Sequence, residues 1–437
     1  MNSSANNLSA ANAATPATTY AWYVVGLMFS VNMINYIDRM ILAVIIEAIR
    51  IEIPMTDTQV GLLTGFAFAI FYGSVGLFLG LLADRYSRKH IMIFAITVWS
   101  LATAAGAMVS GFFQLLAARV LVGVGEAGTM PTTQSLIADY CQVRKRSLAY
   151  AILNAGGTLG LTIGLIGGGW VAGTYGWRAA FLTAGAISIP VLLLLSFTLR
   201  EPKRGALDAA GTETRPASFG TSLTTLWGVQ SYRYIVVSAC FTAFLLYGVA
   251  QWLPAFLIRK YELSTAMVGA YTGLTIGAGS LIGSLLGGYL GNRLSQKDLG
   301  WLLKLPFLAS LFYVPFHLAM LMTDHLQLSL AFLFMANMLG AMGFGSILAS
   351  MHTVLAPHTR GIGTAVYGLT TSIFGVGLAP LIVGAISDYF GSQGHSSAQS
   401  LEYGLTFAVW VGIFISVALF LASRSFKNDL KRVNVES

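Results

Sequence analysis

Apolar stretches long enough to cross a bilayer recur along this whole chain, at residues 21–49, 57–83, 89–110, 112–139, 146–174, 177–199, 230–258, 265–291, 299–322, 326–355, 361–389 and 401–423. Each has the roughly 20 residues that a helix needs to span hydrocarbon. Inside hydrocarbon every backbone polar group must be satisfied within the structure, which leaves only helices or a closed barrel. The pattern predicts an all-α integral membrane protein with twelve transmembrane helices. Composition agrees: 10% of the 437 residues are charged, against about 25% in a soluble domain.

Orientation follows from the basic residues in the connections. With the N-terminus in the cytoplasm, the outer connections hold Arg50, Arg178, Arg259 and Lys260, and Arg39 and Arg119 lie at membrane depth. All the rest of the 25 Lys and Arg fall in inner connections and the tail. Both termini are therefore expected to be cytoplasmic, in a multi-pass plasma (cell inner) membrane. The formal charge of +8 is placed beside anionic lipid headgroups and does not imply nucleic acid. Residues 1–20 lack the basic start and apolar core of a signal peptide and read as a disordered polar tail. Cys141 and Cys240 are too few for a disulfide framework.

The longest polar stretch, from Arg200 to Ser222, separates two similar halves. Arg146-Ser147-Leu148-Ala149-Tyr150-Ala151 returns as Arg360-Gly361-Ile362-Gly363-Thr364-Ala365, and GWVAGTYG at 169–176 returns as GAISDYFG at 384–391. The expected organisation is a tail (1–20), a six-helix bundle (21–199), a linker (200–228), a second bundle (229–424) and a tail (425–437). Parallel repeats of this kind, with a substrate site between them, describe a rocking secondary transporter.

Four ionisable side chains stand inside the oily runs: Asp38 and Arg39 in the first, Arg119 and Glu126 in the fourth. Charges at membrane depth are expensive and mark ion or substrate pathways. Arg119, Gly123, Glu126 and Met130 share one helical face, and Asn32, Asn35, Asp38 and Arg39 share another. At about 1.5 Å per residue, Asp38 falls at a depth between Arg119 and Glu126. Desolvation disfavours a charged carboxylate and a nearby cation favours it, so a carboxyl balanced between the two can take up and release a proton. Asp38 and Glu126 are expected to be the proton-binding pair, tuned by Arg119. A fixed salt bridge between two helices is the structural alternative, and Arg39 is left to pair near Asp38 or with a headgroup.

Between spans two and three stands Gly80-Leu81-Leu82-Ala83-Asp84-Arg85-Tyr86-Ser87-Arg88-Lys89. It resembles the G-x-x-x-D-R-x-x-R-K loop of the major facilitator superfamily at every defining position. The resemblance implies a cytoplasmic gate built from Gly80, Asp84, Arg85, Arg88 and Lys89, which latches the two halves. In the second half Gly291 replaces the aspartate, which weakens the second latch. Asn35-Tyr36-Ile37-Asp38-Arg39, Gly123-Val124-Gly125-Glu126-Ala127 with Ile137-Ala138-Asp139, and Arg200-Glu201-Pro202-x-Arg204-Gly205 are similar to the Spinster branch of that superfamily. The similarity is dense over residues 30 to 205 and loose beyond. It implies a carrier of lysolipids or sphingoid lipids, with Asp38, Arg119 and Glu126 in coupling and transport.

Span five places Gly156, Gly160, Gly164 and Gly168 at four-residue spacing, a seam for close helix packing. The second half has no acid, Lys or Arg at its helix centres. Together with Asn35 and Arg39 of the first half, Tyr247, Gln251, Trp252, Asn337, Tyr367, Thr370 and Phe374 are expected to line the substrate cavity. The asymmetry suggests a polar group held by the first half and an apolar body held by the second. His317 and His352 read as structural. No phosphate-gripping loop, metal motif or nucleophile elbow occurs, so neither a cofactor, a metal nor catalysis is expected. The chain reads as a monomeric, proton-coupled carrier of an amphipathic, lipid-like substrate among membrane lipids. A proton–organic-anion symporter, or a non-transporting receptor with the same fold, are the alternatives.

Overall fold

The computed structural model describes residues 18–83, 85–202, 219–356 and 359–436. The expectations for residues 1–17, for Asp84 and for most of the linker fall outside them. Among the described residues, twelve helices are long and apolar enough to cross a membrane. They are α1 (Thr19–Glu52), α2 (Asp57–Gly80), α3 (Arg88–Met108), α4 (Phe112–Tyr140), α5 (Leu148–Tyr175) and α6 (Trp177–Thr198), then α7 (Gln230–Tyr261), α8 (Thr265–Ser295), α9 (Trp301–Met322), α10 (Leu326–Val354), α11 (Arg360–Ser392) and α12 (Ser397–Arg432). An even number of crossings leaves both termini on one side, here called the terminal end; the other is the distal end. Two stretches read as linker and tail include helix. Phe219–Gly228 closes the linker with a short helix, and the last helix runs on to Glu436, anchored where Asp429 accepts the backbone N–H of Ser231 at 2.7 Å.

The glycine seam of α5 packs on α1, one turn against one turn. A Cβ at Gly156, Gly160, Gly164 or Gly168 would meet Phe29, Met33, Ile37 or Ile41 in turn. Without those side chains the two backbones can approach closely, which is what drives helix association in lipid. Asn32 reinforces the seam by donating to the Leu153 carbonyl at 2.8 Å.

Glycines bring two helix pairs together where the bundles meet, an interface that α1 and α7 also line. In one, Gly169, Gly269, Gly273 and Gly277 let α5 lie against α8. In the other, a Cβ at Gly61 of α2 would collide with the Pro380 backbone of α11, and one at Gly65 would stand 2.8 Å from the Gly377 carbonyl oxygen. Both contacting segments are locally π-helical, Leu62–Phe66 and Ser372–Leu378, a form that recurs at functional sites inside membrane and soluble helices alike. Toward the terminal end this pair no longer touches: side chains added at Gly73 or Gly368 would meet nothing within 4 Å. Helix α4 also breaks, at Ala127–Gly128 directly after Glu126, and α10 breaks at the corresponding Gly343.

Candidate functional site

Asp38 and Arg39 are neighbours in sequence and so point about 100° apart around α1. That divergence builds two ion pairs rather than one shared cluster around Arg119. Asp38, buried at 4% exposure, accepts the Thr103 hydroxyl at 2.5 Å and lies 3.6 Å from Arg119. Arg39 turns the other way and donates from Nε to Glu126 at 2.6 Å. Its guanidinium sits 4.8 Å from the ring centres of both Phe68 and Tyr72 and 5.5 Å from that of Tyr36. Arg39, expected beside Asp38 or a headgroup, is therefore the partner of Glu126, and Arg119 belongs to Asp38. The helix break fixes the position of Glu126, whose carbonyl accepts the Thr129 hydroxyl at 2.6 Å.

The four charges sum to zero, yet the bonding is incomplete. Glu126 Oε1, Asp38 Oδ2 and Arg119 Nε are buried without a hydrogen-bond partner. Each such group costs about 1–3 kcal/mol, so the site is held in an arrangement that a proton or a ligand would improve. Chemically it can exchange protons and pair with anions.

The expected cavity residues divide. Tyr247 comes within hydrogen-bonding reach of Tyr36 across the bundle interface, next to Arg39. Gln251, one turn farther toward the distal end, is buried with Oε1 unpartnered. Trp252 is corrected: it is 1% exposed and its indole N–H donates to the Pro380 carbonyl at 2.9 Å, so it packs the interface between α7 and α11. Asn337 is also corrected, since its amide donates to Leu333 of its own helix and its Cβ faces Gly279 of α8. Thr370 donates to carbonyls of its own helix and lies beside Cys240. Tyr367 is half-buried and Phe374, in the π-helical segment, is 45% exposed. His317 is buried, with Nδ1 3.0 Å from the Tyr313 carbonyl.

The loop after α2 was expected to latch the two halves, but the described partners of Arg88 lie in α4 and in the residues that directly follow α6. Arg88 is 1% exposed and bonds Asp139, Ser135 at 2.8 Å, Glu201 at 2.9 Å and the Pro202 carbonyl at 3.2 Å. Glu201 also accepts the Ser87 hydroxyl and the Lys89 backbone N–H. Burial would raise the Glu201 carboxyl, but the Lys89 N–H and the Arg88 guanidinium outweigh it and hold it below its ordinary value. Gly80 approaches Pro131 of α4, and Arg85 is exposed.

A cluster at the distal end was not anticipated. Arg259 of α7 donates to Asp57 at 2.8 Å and to Glu47 at 2.7 Å, and Arg50 also pairs with Asp57. Ser387 donates to Asp57 at 2.6 Å, while Asp388 accepts the backbone N–H groups of Asp57 and Thr58 at the start of α2. It fastens α1 and α2 to α7 and α11. One sequence signal pointed there: in the repeat at 384–391, Ser387 and Asp388 replace Ala172 and Gly173 of the first copy.

This architecture is that of a membrane carrier. Residues 28–380 match the model of the Major Facilitator Superfamily; the chain belongs to that superfamily and is a transporter, not an enzyme. Within it the chain falls in the Spinster branch. Protein spinster homolog 1 of Xenopus tropicalis is 28% identical over 447 residues, covering 95% of this chain and 82% of the relative. An MFS-type efflux pump of Mycolicibacterium smegmatis is 29% identical over 416 residues, 94% of each chain. A crystal structure of a bacterial homologue of the human lysosomal transporter Spinster, inward-facing and unoccupied, superposes with a TM-score of 0.86 at 26% identity, covering 95% of this chain and 99% of that one.

Proposed function

We propose that this transporter moves an amphipathic, lipid-like substrate by alternating access and draws on protons taken up at Glu126 and Asp38. The observation that carries the reading is the incomplete bonding of the central charges: Glu126 Oε1 and Asp38 Oδ2 are buried without a hydrogen-bond donor, and the two carboxyls lie within reach of each other beside two guanidinium groups. Protonating Glu126 removes the charge that holds Arg39, which frees the guanidinium to bind substrate. Deprotonation restores the pair. Proton uptake at Glu126 and substrate binding at Arg39 are thus linked through one ion pair.

The distal cluster supplies the closed side of the cycle, and the parting of α2 and α11 toward the terminal end supplies the open side. With the termini in the cytoplasm of a cell inner membrane, as the basic residues indicate, this form faces inward. The carrier acts as a monomer, since each bundle interface is completed within one chain. An organic-anion/proton symporter is the second reading. It is favoured by Arg39, whose Nε is its only nitrogen bonded to protein among the described residues.

The test is uptake of a fluorescent lysophospholipid into proteoliposomes under an imposed pH gradient, comparing wild type with Glu126→Gln. Gradient-dependent uptake that the substitution abolishes supports the reading. Uptake indifferent to both gradient and substitution removes the proton assignment.

A further inference from the structure

Beside Arg39 the first bundle holds a small, partly open cleft lined by α1, α2, α4 and α5. It suits a compact polar group, not an acyl chain. Its polar lining consists of Asn32, Asn35, Tyr36, Arg39, Tyr72, Thr133 and Thr129, whose hydroxyl is spent on the Glu126 carbonyl, and no carboxylate is among the lining residues. Two of these groups lack protein partners. Asn35 is 4% exposed and its Nδ2 donates to nothing, and the terminal nitrogens of Arg39 are likewise uncommitted. Asn32 is already spent on Leu153. The cleft therefore offers donors, one of them permanently charged, and asks for an acceptor.

The aromatic rings sharpen the choice of ligand. Tyr36, Tyr72 and Phe68 could have formed a cage for a quaternary ammonium group. Their faces are already occupied by the Arg39 guanidinium, so an incoming cation would meet a like charge and no free ring.

We propose that this cleft is the headgroup subsite and that it selects anionic heads, a phosphate or carboxylate carried by the amphipathic substrate, over choline-type heads. This deepens the transport reading above and rests on it. The anion bridges Asn35 Nδ2 and the Arg39 guanidinium, with Thr133 at the side. When Glu126 is protonated, the anion replaces it as the counter-charge of Arg39. Charge-assisted bonds of this kind are about twice as strong as neutral ones, enough to discriminate headgroups that share one acyl chain.

Equilibrium binding to the purified full-length chain in detergent tests the subsite without any proton gradient, so failure of coupling cannot mimic failure of the subsite. The probes are lysophosphatidate, lysophosphatidylcholine of the same chain, and glycerol 3-phosphate. Lysophosphatidate should bind at least about tenfold more tightly than the choline lipid, the ratio expected for one charge-assisted bond. The near-isosteric Asn35→Asp should erase that preference by presenting a carboxylate to the anion. Thr133→Val should weaken lysophosphatidate severalfold and leave the choline lipid unchanged. Equal or tighter binding of the choline lipid by wild type overturns the proposal, as does a preference that survives Asn35→Asp. Binding of glycerol 3-phosphate alone, lost in Asn35→Asp, keeps the anion subsite and removes the lipid from it. Binding of neither phosphate compound overturns the subsite.

Discussion

Two buried clusters of ions lie along the same axis of this molecule, and they differ in what they join and in how fully they are bonded. The central one, Asp38, Arg39, Arg119 and Glu126, is contained within the first bundle and leaves three polar atoms bare. The distal one, Glu47, Arg50 and Asp57 with Arg259, Ser387 and Asp388, straddles both bundles, and only Arg259 Nε lacks a partner. A cluster inside one rigid bundle can change its charge without any helix moving. A cluster between bundles must break whenever that end opens. Incomplete bonding thus accompanies the group that is to react, and near-complete bonding accompanies the clasp.

The largest effect that would break this contrast is at the centre. Glu126→Gln should abolish proton-driven accumulation in proteoliposomes while leaving downhill substrate exchange, because glutamine keeps the shape and a bond to Arg39 but cannot titrate. Undiminished accumulation would make the central cluster a structural one like the distal. At the distal end, Arg259→Ala removes the cation that ties Asp57 and Glu47 to α7 and leaves them only Arg50 of α1. Removing one partner of a buried pair destabilises by about 3–5 kcal/mol, enough to shift a two-state equilibrium more than a hundredfold. Spin labels on the distal ends of α2 and α11 should report longer distances than in wild type. Unchanged distances would show that the apolar contacts alone hold this end shut.

Those contacts can be challenged separately. Gly61→Val places a side chain against the Pro380 backbone, and overpacking of this sort costs about 1–3 kcal/mol. It should lower the thermal midpoint of the closed form and lengthen the same spin-label distance by less than Arg259→Ala does. A midpoint equal to wild type would mean that the π-helical segments of α2 and α11 yield more easily than their fit suggests.

Much of the central site was legible because a charge in a 20-residue apolar run has no ordinary reason to be there. Asp38, Arg119 and Glu126 stood out on that ground alone. Their pairing was not legible. Rise per residue locates a side chain to within about a turn, whereas the partner of Arg39 depends on which way α1 is rotated and on the break of α4 after Glu126. The distal clasp escaped for the opposite reason. Asp57, Arg259 and Asp388 stand at the ends of spans, where charges are common, and nothing local says that three distant ends converge. Trp252 and Asn337 were misplaced because a polar handle on an oily helix looks the same whether it faces water or a neighbour's carbonyl. The seam Gly156-Gly160-Gly164-Gly168 was read correctly, since its spacing matches one helix turn whatever lies opposite.

The smallest effect concerns the Arg88 cluster at the terminal end, which resembles the distal clasp in bonding but joins α4 to the start of the linker and makes no described bond to the second bundle. Glu201 is held below its ordinary value of 4.5 by the Lys89 N–H and Arg88, against the pull of burial. A depressed carboxyl contributes stability that is fully present above 4.5 and is lost as pH falls through the folded-state value. The side chain is about a third exposed, so screening limits the contribution to about 1 kcal/mol or less. Wild type should therefore lose thermal stability more steeply than Glu201→Gln between about pH 6 and pH 3, and the two should converge at the acid end. The variant should leave the distal spin-label distances untouched, because no described partner of Arg88 lies in the second bundle. A change in those distances would mean that this latch, too, spans the halves, and the distinction between clusters inside a bundle and clusters between bundles would no longer sort the charges of this protein.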